Sequence, residues 1–188
     1  MKKTIYALIA FLIVGMSASY AQIEIGAATL PEAVTFEGQE LVYNGAGVRK
    51  KAWFKLYSGG LYLKQKSNDA KDIMEADESM AIKLHITSRL ISSKKMISAV
   101  NDGFENATDG NVAPISTEIE KFKGFFSDEI SDGDIFDIAY IKGTGVVVYK
   151  NGTKKGTISG LEFKKALFGI WLSDKPADKK LKKGMLGN

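Results

Sequence analysis

The sequence predicts an α+β domain in which a large antiparallel sheet is covered by helices on one face. Strand-like segments and helix-like segments stand in separate blocks, in the order strands, two helices, three strands and helices. Such segregation favours an antiparallel sheet over a βαβ array. The dipeptide Asn151-Gly152 lies between two of the later strand-like segments. It is a strong hairpin signal, because both turn positions take positive φ.

The predicted strands are marked by alternation of apolar side chains and by interrupting glycines. Two short strands are expected at residues 23–28 and 33–36, before a long β-prone stretch over residues 41–63. Residues 80–86 alternate between apolar and other side chains, which is typical of a strand buried on one face. The last three strands are expected at residues 134–141, 145–150 and 153–159.

Three amphipathic helices are predicted from apolar residues at three- and four-residue spacing. The first helix follows Ser92 and Ser93, either of which can cap it, and its apolar stripe is Met96, Val100, Phe104 and Ala107. The second carries Ile115, Ile119, Phe122 and Phe126, and the third carries Phe163, Leu167, Ile170 and Trp171. A lysine-rich end segment begins at Pro176, with Leu181 and Leu186 as anchors, and Trp53 and Trp171 are both expected in the core.

The N-terminus has the three parts of an export signal. Lys2 and Lys3 precede an apolar run over residues 5–16, and small residues follow before Gln22. The run is shorter than the roughly 20 residues that span a bilayer, so we expect cleavage after Ala21 rather than a stable membrane anchor. The mature chain, residues 22–188, is expected to be one periplasmic or secreted domain, large enough to bury its own core.

Composition argues against several classes of function. The chain has no cysteine, which excludes disulfides, iron–sulfur clusters and thiol catalysis, and its single histidine argues against a transition-metal site. Its net charge of +4, which falls to +2 without Lys2 and Lys3, is too small to indicate nucleic-acid binding. We therefore expect no metal, no cofactor and no nucleic-acid partner. Oligomeric state is not indicated.

Three other polar features of the sequence were considered as functional candidates: one histidine, one acidic run and one basic run. His85 alternates with the core positions of a strand and lacks a nucleophile-elbow motif nearby. The acidic run of residues 128–134 lacks the spacing of the known calcium loop and is interpreted as solvated surface. The basic run over residues 175–183 could touch an anionic membrane, although a solvated helix face is the favoured interpretation.

One segment combines a cation with uncrowded backbone. In Asn44-Gly-Ala-Gly-Val-Arg49, the arginine follows Gly45 and Gly47, and Tyr57 precedes a second glycine pair downstream. An arginine offers paired planar donors to a carboxylate or an enolate-like oxygen, and a phenol can donate beside it. The alternative is that Arg49 lies on the protein surface in a weak ion pair.

These residues resemble the chalcone isomerase-like family. The similarity runs from Asn44-Gly-Ala-Gly-Val-Arg49 and Lys55-Leu-Tyr-Ser-Gly-Gly-Leu-Tyr-Leu63 to the closing segment Ala166-Leu-Phe-Gly-Ile-Trp-Leu172 with Asp174-Lys-Pro176. Residues 92–107 correspond to a pocket-lining helix of the family. The resemblance implies an open-faced β-sandwich, whose large antiparallel sheet is covered by helices, with an apolar cleft between sheet and helices.

The resemblance also implies two functions. Family members include plant enzymes that cyclise chalcones and relatives that bind fatty acids, and in both an arginine matching Arg49 faces the ligand. The fatty-acid-binding relatives carry tyrosine where this chain has Tyr57, whereas the plant enzymes carry threonine. The leading hypothesis is therefore a binding protein for a small apolar acid such as a fatty acid, with Arg49, Tyr57, Gly45 and Gly47 at the ligand. The alternative is an isomerase, or intramolecular lyase, in which Arg49 stabilises an enolate or phenolate.

The spacing of Arg49 and Tyr57 leaves a joint site open. Eight residues along a straight strand would separate them by about 26 Å at ~3.3 Å per residue. They can hold one carboxylate together only if a bulge, a bend or a hairpin lies between them. A third interpretation, a structural or chaperone-like partner, predicts that side chains fill the cleft.

Overall fold

The central element is a seven-stranded antiparallel sheet in which each strand pairs with its neighbours in sequence. The computed structural model describes residues 22–188, so the predicted export signal lies outside the described residues. The sheet is curled into a half-barrel. It comprises β3 (Ala33–Phe36), β4 (Gln39–Lys51), β5 (Phe54–Leu63), β6 (Met80–Ile86), β7 (Ile135–Ile141), β8 (Gly145–Lys150) and β9 (Thr153–Ile158). A separate hairpin is formed by β1 (Gln22–Ile25) and β2 (Ala28–Pro31).

Helices cover one face of this sheet and enclose the main hydrophobic core. They are α1 (Ala70–Glu75), α2 (Ser93–Ala107), α3 (Ser116–Gly124), α4 (Leu161–Leu172) and α5 (Lys179–Met185), with a 3₁₀ turn at Ala113–Ile115. Helix α4 is buried over most of its surface, because it packs between the sheet and the other helices. The predicted α+β class, with a large antiparallel sheet and its helices on one face, is confirmed.

The opposite face of the sheet carries a second, smaller apolar cluster. Leu41, Tyr62, Ala81 and Val147 are all buried there. The β1–β2 hairpin contacts this face, since the Tyr62 hydroxyl donates a hydrogen bond to the Pro31 carbonyl oxygen at 3.0 Å. Strand β6 keeps the predicted alternation over most of its length, because Met80, Ile82, Leu84 and Ile86 are buried whereas Lys83 and His85 are only partly buried. On its second face only Ala81 is fully buried, where it joins this smaller cluster.

Local signals placed several boundaries correctly. Asn151 and Gly152 have φ values of 51° and 77° and join β8 to β9, as predicted for this hairpin. Ser92 is the cap of α2, where its hydroxyl accepts a hydrogen bond from the Lys95 amide at 3.4 Å. Helix α1 was not predicted, although Asp69 caps it by accepting hydrogen bonds from two backbone amides.

The prediction that both tryptophans lie in the core is confirmed for Trp171 and wrong for Trp53. Trp171 is 5% exposed, but Trp53 is 84% exposed because it lies at the turn between β4 and β5. Ala52, the residue before it, adopts a left-handed φ of 54°, which closes this turn without a glycine. No helix within residues 22–188 has the length and apolar content needed to span a bilayer.

Candidate functional site

Arg49 and Tyr57 face each other across a β-hairpin. Strands β4 and β5 are antiparallel neighbours, and their register pairs Arg49 directly with Tyr57. The guanidinium carbon of Arg49 lies 5.5 Å from the centre of the Tyr57 ring. This is the arrangement of an arginine stacked over an aromatic face. The hairpin therefore removes the separation of about 26 Å that a straight strand would impose.

The phenol of Tyr57 is fixed from the helical side of the core. Its side chain is 2% exposed, and its hydroxyl accepts a hydrogen bond of 2.9 Å from the indole nitrogen of Trp171 in α4. Because the hydroxyl is already an acceptor, its own proton is available for donation to another group. Burial raises the pKa of the Tyr57 phenol and outweighs the opposite effect of the Arg49 charge. Tyr57 is thus a neutral donor at physiological pH.

A cavity of about 370 Å³ opens beside this pair, between the β4–β5 hairpin and helix α2. Its apolar lining comes from the hairpin, from α2 and from the loop that precedes α2: Phe54, Leu56, Tyr57, Leu90, Ile91, Met96 and Ala99. Its polar lining consists of Arg49, Lys51, Lys95, Ser98 and Asp102. The volume falls within the range of about 300–1,000 Å³ that is usual for small-molecule sites.

The electrostatics of the cavity favour a negatively charged guest. Three of its lining side chains are cationic, and one, Asp102, is anionic. Arg49 is half-buried, yet no carboxylate within residues 22–188 lies within 4 Å of its guanidinium. The guanidinium thus contacts no carboxylate of these residues, although the charge of Asp178 interacts with it at longer range, and a bound carboxylate would satisfy two of its donors in parallel.

Gly45 and Gly47 lie against helix α5 and are not among the residues that line the cavity. A Cβ on Gly45 would be 2.3 Å from the carbonyl oxygen of Gly184, and one on Gly47 would be 3.1 Å from Cα of Leu181. In the structure, the bare backbone of these glycines lets α5 pack directly on β4. Asn44 strengthens that contact, because its amide donates to the Met185 carbonyl oxygen at 2.8 Å.

The other polar residues singled out in the sequence lie away from Arg49. His85 pairs in register with Ser58, whose hydroxyl donates to the Ile25 carbonyl oxygen of the β1–β2 hairpin. His85 therefore lies on the sheet face opposite the cavity. Asp128 forms an exposed ion pair with Lys155. Within residues 22–188, no group of acidic or histidine side chains is arranged to hold a metal ion.

Several cavity residues were not identified from the sequence, although α2 carried a signal for them. Lys95, Ser98, Ala99 and Asp102 have the spacing of a single helix face, one that differs from the predicted apolar stripe. Trp171 was assigned only a core role, because nothing in the sequence indicated that its indole would meet Tyr57. That contact joins residues 114 positions apart.

Comparison with known proteins assigns the chain to a family. The family described as chalcone isomerase-like matches residues 21–187. The chain belongs to the chalcone isomerase-like family. The resemblance inferred from the glycine–arginine segment and the closing helix is thereby confirmed. No curated protein sequence matches this member of the family.

A solved structure shares the fold of this chalcone isomerase-like protein. The crystal structure of a fatty-acid binding protein from Arabidopsis thaliana superposes with a TM-score of 0.70. The match covers 88% of this chain and 96% of the plant protein, at 16% sequence identity. At that identity the comparison establishes the shared fold. The shared fold agrees with the predicted architecture of the chalcone isomerase type, in which a large antiparallel sheet is covered by helices.

Proposed function

We propose that this protein binds a small apolar carboxylate, with fatty acids as the first candidates, in the cavity between the β4–β5 hairpin and α2. The observation that carries the proposal is the half-buried Arg49 guanidinium, which has no carboxylate within 4 Å among residues 22–188. It lines a cavity that also has several apolar side chains. A partly desolvated cation with no carboxylate in direct contact is unfavourable, and a guest carboxylate would compensate it. The plant structure of the same fold is a fatty-acid binding protein, which agrees with this proposal.

In the proposed complex, Arg49 and Tyr57 hold the two oxygens of the acid. The guanidinium donates a forked pair of hydrogen bonds, and the Tyr57 hydroxyl donates a third while it accepts from Trp171. Lys51 and Lys95 add positive charge at the cavity and attract the anion at longer range.

The hydrocarbon part of the guest would contact Leu56, Ile91, Met96 and Ala99. Burying each methylene contributes about 0.8 kcal/mol, which corresponds to roughly fourfold in affinity. Affinity is therefore expected to rise with chain length by about this factor per carbon, until the tail fills the cavity and further carbons remain in water.

The decisive test is fatty-acid affinity of the chain from Gln22 onward, after delipidation, measured by calorimetry for wild type and Arg49→Ala. We expect a loss of at least about tenfold, since a charge-assisted hydrogen bond contributes about 1.5–3 kcal/mol. Arg89→Ala is the matched control. Arg89 is the only other arginine in the sequence, is exposed, and is not among the cavity residues.

Two results would contradict this function. One is an Arg49→Ala variant with unchanged fatty-acid affinity. The other is the absence of co-purifying lipid in native protein analysed by mass spectrometry, together with no measurable affinity for any added acid. An affinity that is independent of chain length would also count against burial of the tail.

We also propose that the chain is exported and cleaved after Ala21. The support is the charged, apolar and small-residue pattern of residues 1–21, and the family match, which begins at residue 21. N-terminal sequencing of protein recovered from outside the cytoplasm should give Gln22 as the first residue. An intact Met1 in that fraction would refute the cleavage.

A further inference from the structure

Three large apolar side chains project into solvent beside the cavity. Trp53 is 84% exposed, Phe54 is 51% exposed and Leu90 is 42% exposed. The rings of Trp53 and Phe54 have centroids 6.3 Å apart, at the turn of the β4–β5 hairpin. Phe54 and Leu90 also line the cavity, which places this group at the edge of the proposed ligand site. We call Trp53, Phe54 and Leu90 the apolar tip.

Cationic side chains lie on both sides of the apolar tip. Lys51 and Lys95 line the cavity on one side. On the other side, a surface depression is lined by Lys50, Lys55, Lys179 and Lys180. None of these six lysines forms an ion pair with a carboxylate of residues 22–188. We call them the basic ring.

Few carboxylates oppose the basic ring. Asp102 lines the cavity, and Asp178 lines the depression. Asp178 is already engaged, because it accepts hydrogen bonds from the backbone amides of Lys50, Lys180 and Leu181. Among the residues that line the cavity and the depression, Arg49 and six lysines therefore face two carboxylates, so this end of the molecule carries a local positive charge.

An exposed tryptophan and phenylalanine within a ring of lysines match the interface of an anionic bilayer. Aromatic side chains favour the boundary between headgroups and acyl chains, and lysines are attracted to anionic headgroups. A second copy of this chain fits less well, because two such tips would bring like charges together.

We propose that the apolar tip and the basic ring form a reversible docking surface for anionic lipid bilayers. Trp53 and Phe54 enter the headgroup boundary, and the six lysines contact anionic headgroups. Docking in this orientation turns the cavity toward the bilayer, where an apolar acid could pass without crossing water. That last consequence rests on the proposed function, whereas the docking itself does not.

The test is co-sedimentation of the chain from Gln22 onward with vesicles of phosphatidylcholine alone or mixed with phosphatidylglycerol. Residues 1–21 are omitted because the apolar run over residues 5–16 would itself enter lipid. Binding is expected to the mixed vesicles and to fall steeply with added salt. Lipids brominated near the headgroup should quench the fluorescence of Trp53, while Trp171, 5% exposed, should be little affected.

Two variants probe the two parts of the surface. Trp53→Ser with Phe54→Ser should lower the vesicle partition coefficient at least about fivefold. Lys50→Glu, Lys51→Glu and Lys55→Glu together should lower it at least about tenfold. The charge-matched control is Lys64→Glu, Lys66→Glu and Lys142→Glu. These lysines are exposed, make no ion pair within residues 22–188, and lie at or beyond the opposite ends of the strands.

Several outcomes would overturn the proposal. They are no binding to mixed vesicles, equal binding to neutral vesicles, or an equal loss in the control variant, which would indicate a general effect of net charge. Dimerisation that Trp53→Ser abolishes would assign the tip to a second copy instead. The Arg49→Ala variant separates the two proposals, because it should lose fatty-acid affinity while it retains most of its vesicle binding.

Discussion

Trp171 of α4 donates its indole hydrogen to the hydroxyl oxygen of Tyr57 on β5, across a distance of 2.9 Å. Both side chains are almost fully buried, at 5% and 2% exposure. The bond ties the last long helix to the strand that faces Arg49. The position of the candidate site thus depends on how α4 packs on the sheet, as well as on the hairpin itself.

Replacing Trp171 by Phe is expected to destabilise the protein by about 1–2 kcal/mol. The aromatic volume is largely kept, but the buried Tyr57 hydroxyl loses its donor. Urea unfolding should show a lower midpoint with an unchanged slope. Trp53→Phe is the control, and it should leave the midpoint unchanged because Trp53 is exposed. Equal midpoints for the Trp171 variant and wild type would refute a structural role for this bond.

Gly45→Ala is expected to destabilise the protein by about 1–3 kcal/mol. The new Cβ would lie 2.3 Å from the Gly184 carbonyl oxygen and 2.8 Å from the Gly187 nitrogen, so helix α5 would have to move. Gly124→Ala is the matched control, since a Cβ there meets no atom within 4 Å. A control variant that is as unstable as Gly45→Ala would show that the close packing of α5 is not the cause.

Lys164→Met is expected to cost about 2–4 kcal/mol. Lys164 is fully buried, and its ammonium donates to the carbonyl oxygens of Ile73, Met74 and Ala76, which stabilises the end of α1. Methionine keeps the apolar stem but leaves these oxygens without donors. Amide hydrogen exchange should then be faster in α1 than in wild type.

Lys165→Met is the control for this buried lysine. Lys165 is the adjacent residue, and it forms ion pairs on the surface with Glu75 and Glu162. Its replacement should lower the midpoint of urea unfolding much less than Lys164→Met does, because exposed ion pairs contribute little to stability. If both variants lost the same stability, the buried hydrogen bonds of Lys164 would have no special role.

Stability at acid pH is expected to depend on Asp178. Burial opposes the Asp178 charge, but hydrogen bonds from three backbone amides outweigh it and hold the pKa below its usual value of 3.8. A folded pKa below the unfolded one stabilises the protein above about pH 4, and this contribution is lost as pH falls through the folded pKa. Asp178→Asn should be destabilising at pH 6, because an amide side chain has one acceptor oxygen for the three backbone amides that Asp178 serves with two, and the difference should become smaller toward pH 3.

The measurement is the free energy of urea unfolding of wild type and Asp178→Asn between pH 6 and pH 3. Asp132→Asn is the control, because Asp132 is exposed, forms no ion pair within residues 22–188 and caps no helix there. A difference between wild type and Asp178→Asn that stays constant over this range would contradict the assigned role of the Asp178 charge.

Local signals predicted most of the strands because the relevant physics is local. The left-handed turn at Asn151-Gly152 and the alternation through Met80–Ile86 depend on residues that are close in sequence. Residues 41–63 were harder. They were predicted as one β-prone stretch but form two strands, β4 and β5, because the turn at Ala52 contains no glycine, asparagine or proline to mark it in the sequence. The glycines of that stretch instead lie inside the strands, where α5 and Leu30 pack against them.

The amino-acid sequence by itself indicated the family, the α+β class and the hairpin at Asn151-Gly152. It also identified Arg49 and Tyr57 as candidate ligand-binding residues. Only the tertiary structure decided that these two side chains face each other, that Gly45 and Gly47 receive a helix, and that Trp53 is exposed. The physical reason is that each of these facts depends on contacts between residues distant in the chain, or on the placement of one turn. Periodicity and propensity describe neighbours in sequence, whereas a site is made by neighbours in space.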